Sequence, residues 1–560
     1  MTDKCVADAI RNNRITIYLV GALTHAEDES APAVESVRYF FHLMIRTGIL
    51  LVLHTIFNRW LMGVSHLPQQ SYQQPFIFVE LIKNLGILQL LLLASAGVIL
   101  TCYRPLWQSW SAFDHGNALR WFIILVVFIA AWTFSTYDYN LYFNQGHYID
   151  RVLLLILIPF IFWKPVFVFP FVLLLASIVW QFDYPLVGQY PWTEMNYVVG
   201  VLTFFGAAFL LKVLIGNRNI SDFVFILCCF IASFYFCSGL GKLRINWITH
   251  PHLNLLIFGA YANDWLAFLE PSTIVFISEK LAWSNLPLMA FTLLVEVGAI
   301  FLLWRRTLLL VSLCGFILFH SGIFAICGML FWKWIVVEIG LLVFLLGRKR
   351  IQSIPIFTRG HFMLSIILIG GYNIWFNPSN LSWFDTRLTY SYRYEAVGES
   401  NKRYPLSSRM FTPYADMFTL GNFHYLNQHS QLTHIWGVTG NRVLADKLLQ
   451  LNLPDQIYAL EQEMGKIHFN LDKAARFDDL ITRFIGNLNV RRSKRTWLSW
   501  LQAPAHLWSF PRDNTFKAQE QITKVIVYQV TSLYDGKQYL DIRKRVLREI
   551  DIPLLPIPPG

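Results

Sequence analysis

Lys242 stands where a strongly apolar run stops, in Phe234-Tyr-Phe-Cys-Ser-Gly-Leu-Gly-Lys-Leu-Arg-Ile-Asn-Trp247. Reading backwards, Phe223 to Leu240 is apolar apart from Ser233 and Ser238. With its flanks it is long enough to cross about 30 Å of hydrocarbon as a helix. Desolvation disfavours the charged form of an amine, so a lysine at such a boundary can work as a base near neutral pH. The same position suits an interfacial anchor, with Lys242 and Arg244 snorkelling from a helix end towards water. Position alone leaves the two open.

Other residues add to the chemistry. His147, in Tyr137-Asp-Tyr-Asn-Leu-Tyr-Phe-Asn-Gln-Gly-His147-Tyr-Ile-Asp150, opens an apolar run and can hydrogen-bond or shuttle protons. It also reads as an interfacial histidine. Glu296, His320 and Glu338 fall inside three successive apolar runs. An ionisable residue at that depth is expensive and faces a protein interior or a wet cavity. Helix-to-helix hydrogen bonding is the competing role, above all for Glu296 and Glu338. His42, Arg46 and His54 lie near one helix face, expected to look into the bundle, and Glu80 and Lys83 are spaced to pair.

The elements that must position these groups are apolar helices. The chain has 560 residues, of which 55% are hydrophobic and only 14% charged. Its mean hydropathy is +0.44. These values exclude an ordinary soluble globular protein. Apolar runs lie at about 39–63, 77–102, 119–135, 150–163, 165–182, 196–214, 221–240, 285–304, 308–327, 329–347 and 361–376. The Lys164-Pro165 break within 150–182 is the least secure division. Between runs, Thr249 to Lys280 is semi-apolar and broken at Asn263 and Asp264, which predicts re-entrant or interfacial helices.

The loops with Arg38, Arg104, Arg120, Lys164, Lys212, Arg218, Arg305, Arg306 and Arg348-Lys-Arg350 fall on one side, the cytoplasmic one by the positive-inside rule. Lys242 and the C-terminal tail then face outwards. The net charge of +11 is explained by these loops and by anionic lipid, and no nucleic-acid module is present in the sequence. Residues 377–560 have no span. Thr389 to Leu406 reads as a hairpin, Leu444 to Ile485 as helix, and Lys524 to Leu533 as a strand. Arg491-Arg-Ser-Lys-Arg495 with Trp497 and Trp500 reads as a solvated or headgroup-facing surface. The cysteines form no CxxC pair, and no metal site is expected.

Three segments in this order resemble a known family. Tyr235-Phe-Cys-Ser-Gly-Leu-Gly-Lys-Leu-Arg-Ile-Asn-Trp247 is similar to the lysine signature of the vitamin K-dependent gamma-carboxylase and its bacterial relatives, the HTTM-domain proteins. Gly146-His-Tyr-Ile-Asp150 resembles that family's histidine-tyrosine segment. Thr292 to Leu303, followed by Leu318-Phe-His-Ser321 and Gly328-Met-Leu-Phe331, resembles its acidic helix and phenylalanine-histidine span. The likeness covers about residues 35–350. It implies that Lys242 deprotonates a reduced vitamin K or another quinol, which reacts with oxygen to give a base that removes a γ-proton from peptidyl glutamate. Carbon dioxide then adds. His147 and His320 are the implied catalytic partners, and Tyr235, Trp247 and Glu296 the implied cofactor contacts. The chain departs from the family in its shorter tail, free of cysteines, and in Gly322-Ile-Phe-Ala after the histidine.

The expected fold is an α-helical polytopic membrane protein of about 9–11 transmembrane helices with a C-terminal extracytoplasmic α+β domain. Its segments are 1–37 in the cytoplasm, 38–376 in the membrane and 377–560 outside, and the implied location is a bacterial inner membrane. The expected partners are membrane lipid and a protein or peptide substrate on the outer side, with no nucleic acid. The competing classes are a non-catalytic scaffold or lipid-handling protein and a transporter. No pair of matching Gly/Pro-broken runs favours the last.

Overall fold

The computed structural model describes residues 33–86, 104–185, 192–215, 220–347, 354–451, 453–491, 499–510, 516–517 and 519–553. The N-terminal segment up to residue 32, the apolar run beyond residue 86, Arg348-Lys-Arg350 and most of the basic patch at 491–497 lie outside the described residues. The first part of the fold is helical: α1 (Ala33–Ser65), α2 (Ile77–Lys83), α3 (Gly116–Ser135), α4 (Tyr148–Trp163), α5 (Val168–Trp180), α6 (Trp192–Ile215) and α7 (Ser221–Arg244). There follow α8 (Leu256–Ala262), α9 (Pro271–Ala282), α10 (Asn285–Gly298), α11 (Arg306–Cys327), α12 (Trp332–Leu346), α13 (Arg359–Gly370) and the single turn α14 (Tyr372–Trp375).

Helix ends follow the local sequence. Lys164 is extended before Pro165, which separates α4 from α5. Pro271 opens α9 at a first-turn position where its missing N–H costs nothing. Helix α7 carries Asp222 in its first turn and Lys242 and Arg244 in its last, the signs that suit the helix dipole. It ends before Asn246, which takes a left-handed conformation with φ of 55°.

Among the described residues, five helices are long and apolar enough to cross a membrane. They contain residues 39–65, 116–135, 195–213, 221–244 and 306–327, and a sixth candidate is the pair α9 and α10, bent by 67°. Among the described residues the number of full-length spans is therefore below the nine to eleven expected, and most of the expected run at 77–102 lies outside them. Helix α4 has 16 residues, α5 13, α12 15 and α13 12. A 16-residue helix rises only about 24 Å, short of the hydrocarbon thickness. The semi-apolar stretch after residue 249 does form short helices, and its second half bends against α10.

The tail is α+β. A four-stranded antiparallel sheet has the order β3-β2-β5-β6, made of β2 (Leu388–Gly398), β3 (Arg403–Leu406), β5 (Ile522–Tyr534) and β6 (Tyr539–Asp551). The expected hairpin pairs Tyr394 with Leu406 and Val397 with Arg403. The expected strand at 524–533 lies across from β2, and the β6 strand was not anticipated. A two-residue pairing joins β1 (Phe384–Asp385) to β4 (Val438–Thr439). The predicted helical stretch is three helices, α16 (Arg442–Leu449), α17 (Pro454–Met464) and α18 (Leu471–Arg491), after the short α15 (Ala415–Leu420).

This tail sits on one end of the helical bundle. Its segment 499–510 straps that end: the Trp132 indole donates to the Leu501 carbonyl at 2.6 Å and the Trp332 indole to that of Pro504 at 2.9 Å. The Leu330 amide donates to the His506 carbonyl at 2.7 Å and the Trp508 amide to that of Gly328 at 3.0 Å. Lys164 and Lys212, at the opposite ends of their helices, bond to Trp107 and Gln108. Of the three residues expected to face inwards on α1, Arg46 pairs with Asp222 at 3.3 Å and His54 reaches Thr203 at 3.1 Å. His42 is exposed instead. Twelve residues along a helix rotate His54 about 120° from it. Glu80 and Lys83 pair as expected, at 2.7 Å.

The Ser-Gly-Leu-Gly run is what lets α7 be approached so closely. A Cβ on Gly239 would sit 2.8 Å from the Glu296 Cβ and 2.9 Å from the Val297 backbone nitrogen. One on Gly241 would meet Asn380 and Ser382 of the linker to the tail, at 2.2 and 2.8 Å. Gly239→Ala is expected to push α10 off α7 and lower stability by about 1–3 kcal/mol. Thermal unfolding of the purified protein would measure it, and an unchanged midpoint would contradict this packing.

Candidate functional site

Helix α7 supplies two reactive residues on one face. Tyr235 and Lys242 are seven positions apart, close to two helical turns. Lys242 Nζ donates to both carboxylate oxygens of Glu296, at 2.6 and 2.8 Å. The pair is enclosed: the side chains are 11% and 3% exposed. Arg244, two residues on, is exposed. The two basic residues of this helix end therefore occupy different environments. The Trp247 ring lies 5.5 Å from Lys242 Nζ and belongs to an apolar cluster with Met289, Phe384 and Ala445.

Deeper in the bundle, the Tyr235 hydroxyl donates to Glu338 and lies 3.2 Å from His320 Nδ1. His320 Nδ1 is 3.7 Å from the second Glu338 oxygen, which has no hydrogen-bond partner. Ring packing fixes this group: Tyr235 stacks on Phe316 at 3.6 Å, and His320 on Phe331 at 4.8 Å. Glu296 lies within electrostatic range of both His320 and Tyr235. The bundle thus encloses two adjoining acid–base groups, Lys242 with Glu296 and Tyr235 with His320 and Glu338.

The structure brings five of the six expected site residues into this region. Glu296 and His320 face the protein interior, as the cost of exposing them requires. Glu296 differs from the expectation in its task, since both its oxygens are occupied by Lys242. His147 is the residue that does not join them. It takes a left-handed conformation just ahead of α4, is buried, and places Nε2 3.0 Å from the Tyr72 carbonyl. Three residues on, Asp150 accepts from the amides of Ile77 and Phe78, both at 2.9 Å, at the start of α2. The His147 segment thus fastens the loop between α1 and α2 to α4, and no hydrogen bond or ion pair joins it to Lys242. A cavity of about 250 Å³ lies between the tail and the loop after α8, lined by residues including Asp264, Tyr392, Arg393 and Lys544, and not beside the lysine. Among the described residues no group of three or more His, Cys, Asp or Glu could hold a metal ion.

One residue of this region was missed in the sequence. Asp385, in β1, is buried, and its Oδ1 has no hydrogen-bond partner. Burial pushes its carboxyl up to about 7, against a hydrogen bond from Trp383 and the charge of Lys242, which pull it down. Only its place nine residues after the last apolar run could have drawn attention to it. Compared with family models, with curated proteins and with solved structures, the chain matches none.

Removing one partner of a buried ion pair leaves the other uncompensated, which typically costs about 3–5 kcal/mol, whereas replacing both by apolar residues is often neutral. Glu296→Ala is therefore expected to be strongly destabilised, and Lys242→Met combined with Glu296→Leu to regain most of the loss. Thermal unfolding of both variants checks this, and equal loss in both would show that the carboxylate holds more than the lysine. Asp385 makes a pH prediction of definite sign. Its folded value lies above the ordinary carboxylate value, so the folded protein binds the extra proton. Its contribution is complete below about pH 4 and disappears as pH rises through 7, by on the order of 4 kcal/mol. Asp385→Asn is expected to flatten that fall in the unfolding midpoint, and an identical slope in the variant would refute the assignment.

Proposed function

We propose that the chain is an integral-membrane enzyme in which Lys242, partnered by Glu296, takes a proton from a lipid-soluble acid of the quinol type. In the case that the sequence resemblance implies, the acid is a reduced vitamin K and the reaction is carboxylation of peptidyl glutamate or a close relative. The observation that carries this reading is the enclosed Lys242–Glu296 pair at the end of an apolar helix, with Arg244 outside it. Two ions in a low-dielectric setting are costly, and passing the proton to Glu296 would leave a neutral amine beside a neutral acid. In that form Lys242 presents a lone pair.

The residues around the pair are those that would meet a quinol. Trp247, Met289, Phe384 and Leu293 give an apolar wall, and the unpartnered Oδ1 of Asp385 gives one polar contact. When bound, such a group would supply an acidic hydroxyl and the reducing equivalents for reaction with oxygen. Leu286 and Leu294 of α10 are 58% and 73% exposed, which suits a helix lying against lipid. Tyr235 and His320 are close enough to Glu296 to adjust its charge as the proton moves. His147 has no part in this reading. The N-terminus is assigned to the cytoplasm of a bacterial inner membrane and the tail to the outer side, where a peptide substrate would dock.

Mass spectrometry of lipids, quinones and peptides co-purifying with the protein is the direct test, followed by quinol-dependent turnover of variants. Lys242→Ala is expected to lose about a hundred- to ten-thousandfold in rate, and Arg244→Ala to keep most of it. Near-normal turnover in Lys242→Ala, with folding intact, would reduce the pair to helix-packing glue and favour a non-catalytic scaffold.

A further inference from the structure

Resting on the reading of this region as an acid–base site, we propose that Glu338 and Tyr235 hold His320 in one tautomer and so make its Nε2 a second proton acceptor of the bundle. Glu338 and Tyr235 are then positioning residues that act through His320.

Three helices build the group, each giving one residue: Tyr235 from α7, His320 from α11 and Glu338 from α12. Their exposures are 3%, 4% and 0%. Tyr235 lies flat on Phe316, with ring centres 3.6 Å apart. His320 stacks on Phe331 at 4.8 Å and meets Trp334 edge-on at 5.5 Å. Trp334 stands one turn before Glu338 on α12. The His320 ring cannot turn over without displacing these rings, so the nitrogen that faces Tyr235 stays Nδ1.

Counting hydrogens fixes the direction of each bond. A tyrosine hydroxyl has one hydrogen, an ionised carboxylate has none, and a neutral imidazole has one, on either nitrogen. Tyr235 spends its hydrogen on Glu338 Oε1. The 3.2 Å bond between the Tyr235 oxygen and His320 Nδ1 then takes its hydrogen from the ring. In the reversed chain, a protonated Glu338 would donate to Tyr235 and Tyr235 to a bare Nδ1. That nitrogen's lone pair would face the second Glu338 oxygen at 3.7 Å, an oxygen with no hydrogen-bond partner. A hydrogen on Nδ1 turns this repulsion into attraction. Nδ1 therefore carries the hydrogen, and Nε2, which none of these contacts uses, carries the lone pair.

The bond made by one ring nitrogen of a histidine decides the role of the other. A carboxylate that holds a histidine in one tautomer and stabilises the imidazolium formed from it is the arrangement of the hydrolytic triads. Here a tyrosine hydroxyl stands between the two. When Nε2 takes a proton, its lone pair makes the new N–H bond and the donor keeps the electron pair of the bond that breaks. The positive charge is shared with Nδ1, 3.7 Å from the Glu338 oxygen. The hydrogens on Nδ1 and Tyr235 stay in place, and the ring recovers its starting state by releasing the proton from Nε2.

The test uses the full chain in lipid nanodiscs, and its first measurement needs no substrate. Histidine is labelled with nitrogen-15 and tyrosine with carbon-13. Solid-state NMR then assigns the His320 ring by its contact with Tyr235 Cζ and tells a ring nitrogen bearing hydrogen from a bare one. The wild type at pH 8 is expected to show hydrogen on Nδ1 and a bare Nε2. In Glu338→Met the Tyr235 hydroxyl is left with Nδ1 as its acceptor, and the ring hydrogen is expected on Nε2. A bare Nδ1 in the wild type, or an unchanged tautomer in the variant, overturns the proposal. Should the variant fail to fold, the wild-type spectrum decides. In quinol-dependent turnover, His320→Gln and Glu338→Met are each expected to lose on the order of a hundredfold in kcat, and the double variant no more than either alone. Near-normal turnover in His320→Gln overturns the accepting role of Nε2. Failure of the Lys242 base role gives a different signature, full turnover in Lys242→Ala with the His320 tautomer as expected.

Discussion

The close approach of α10 to α7 at Gly239 is the constraint on which the site depends. Backbones can come that near only where no side chain intervenes, and the contact sets the Glu296 carboxylate within 2.6 Å of the Lys242 amine. Coulomb attraction across that gap is large in an apolar interior, but so is the cost of removing both ions from water. The pair is thus held by geometry as much as by its own energy. Gly241, two positions on, does the same for the other flank and lets the linker at Asn380 and Ser382 press against the helix end. Two glycines, on nearly opposite sides of one helix, place the lysine between a bundle helix and the tail.

The ionisable groups are graded by depth. Tyr235, His320 and Glu338 are sealed by aromatic rings from α7, α11 and α12. Lys242 and Glu296 come next, and Asp385 belongs to the tail itself. Such a series is costly to assemble, since every buried polar atom needs a partner. Most have one. Those without, on Glu338, Asp385 and His250, mark where the arrangement departs from pure packing.

Much of this was legible in the sequence because apolar runs and their interruptions report burial directly. Glu296 and His320 stood out as charges in apolar surroundings, and their inward orientation followed from the cost of the alternative. The hairpin at 389–406 was legible from alternation, and the α16–α18 region from periodicity. Span lengths were less legible, because hydropathy does not show where Lys164-Pro165 will split a run or that α9 and α10 will bend by 67°. The partnership of Lys242 with Glu296 joins residues 54 apart and rests on a helix contact that no local pattern encodes. The separation of His147 from the lysine was hidden for the converse reason. Its chemistry was visible, but its ring orientation comes from a left-handed backbone and the Tyr72 carbonyl. Asp385 carried almost no signal, being one acid in a polar linker.

The strap at 499–510 has a mechanical consequence. It bonds to Trp132 on α3, to Trp332 at the start of α12, and to Gly328 and Leu330 in the turn between α11 and α12. His320 and Glu338 belong to the two helices that this turn joins. Their mutual alignment is therefore clamped from outside the bundle, by a stretch of chain some 180 residues further along. A load on residues 499–510 would be felt as a twist between α11 and α12, at the aromatic rings that seal the buried acids.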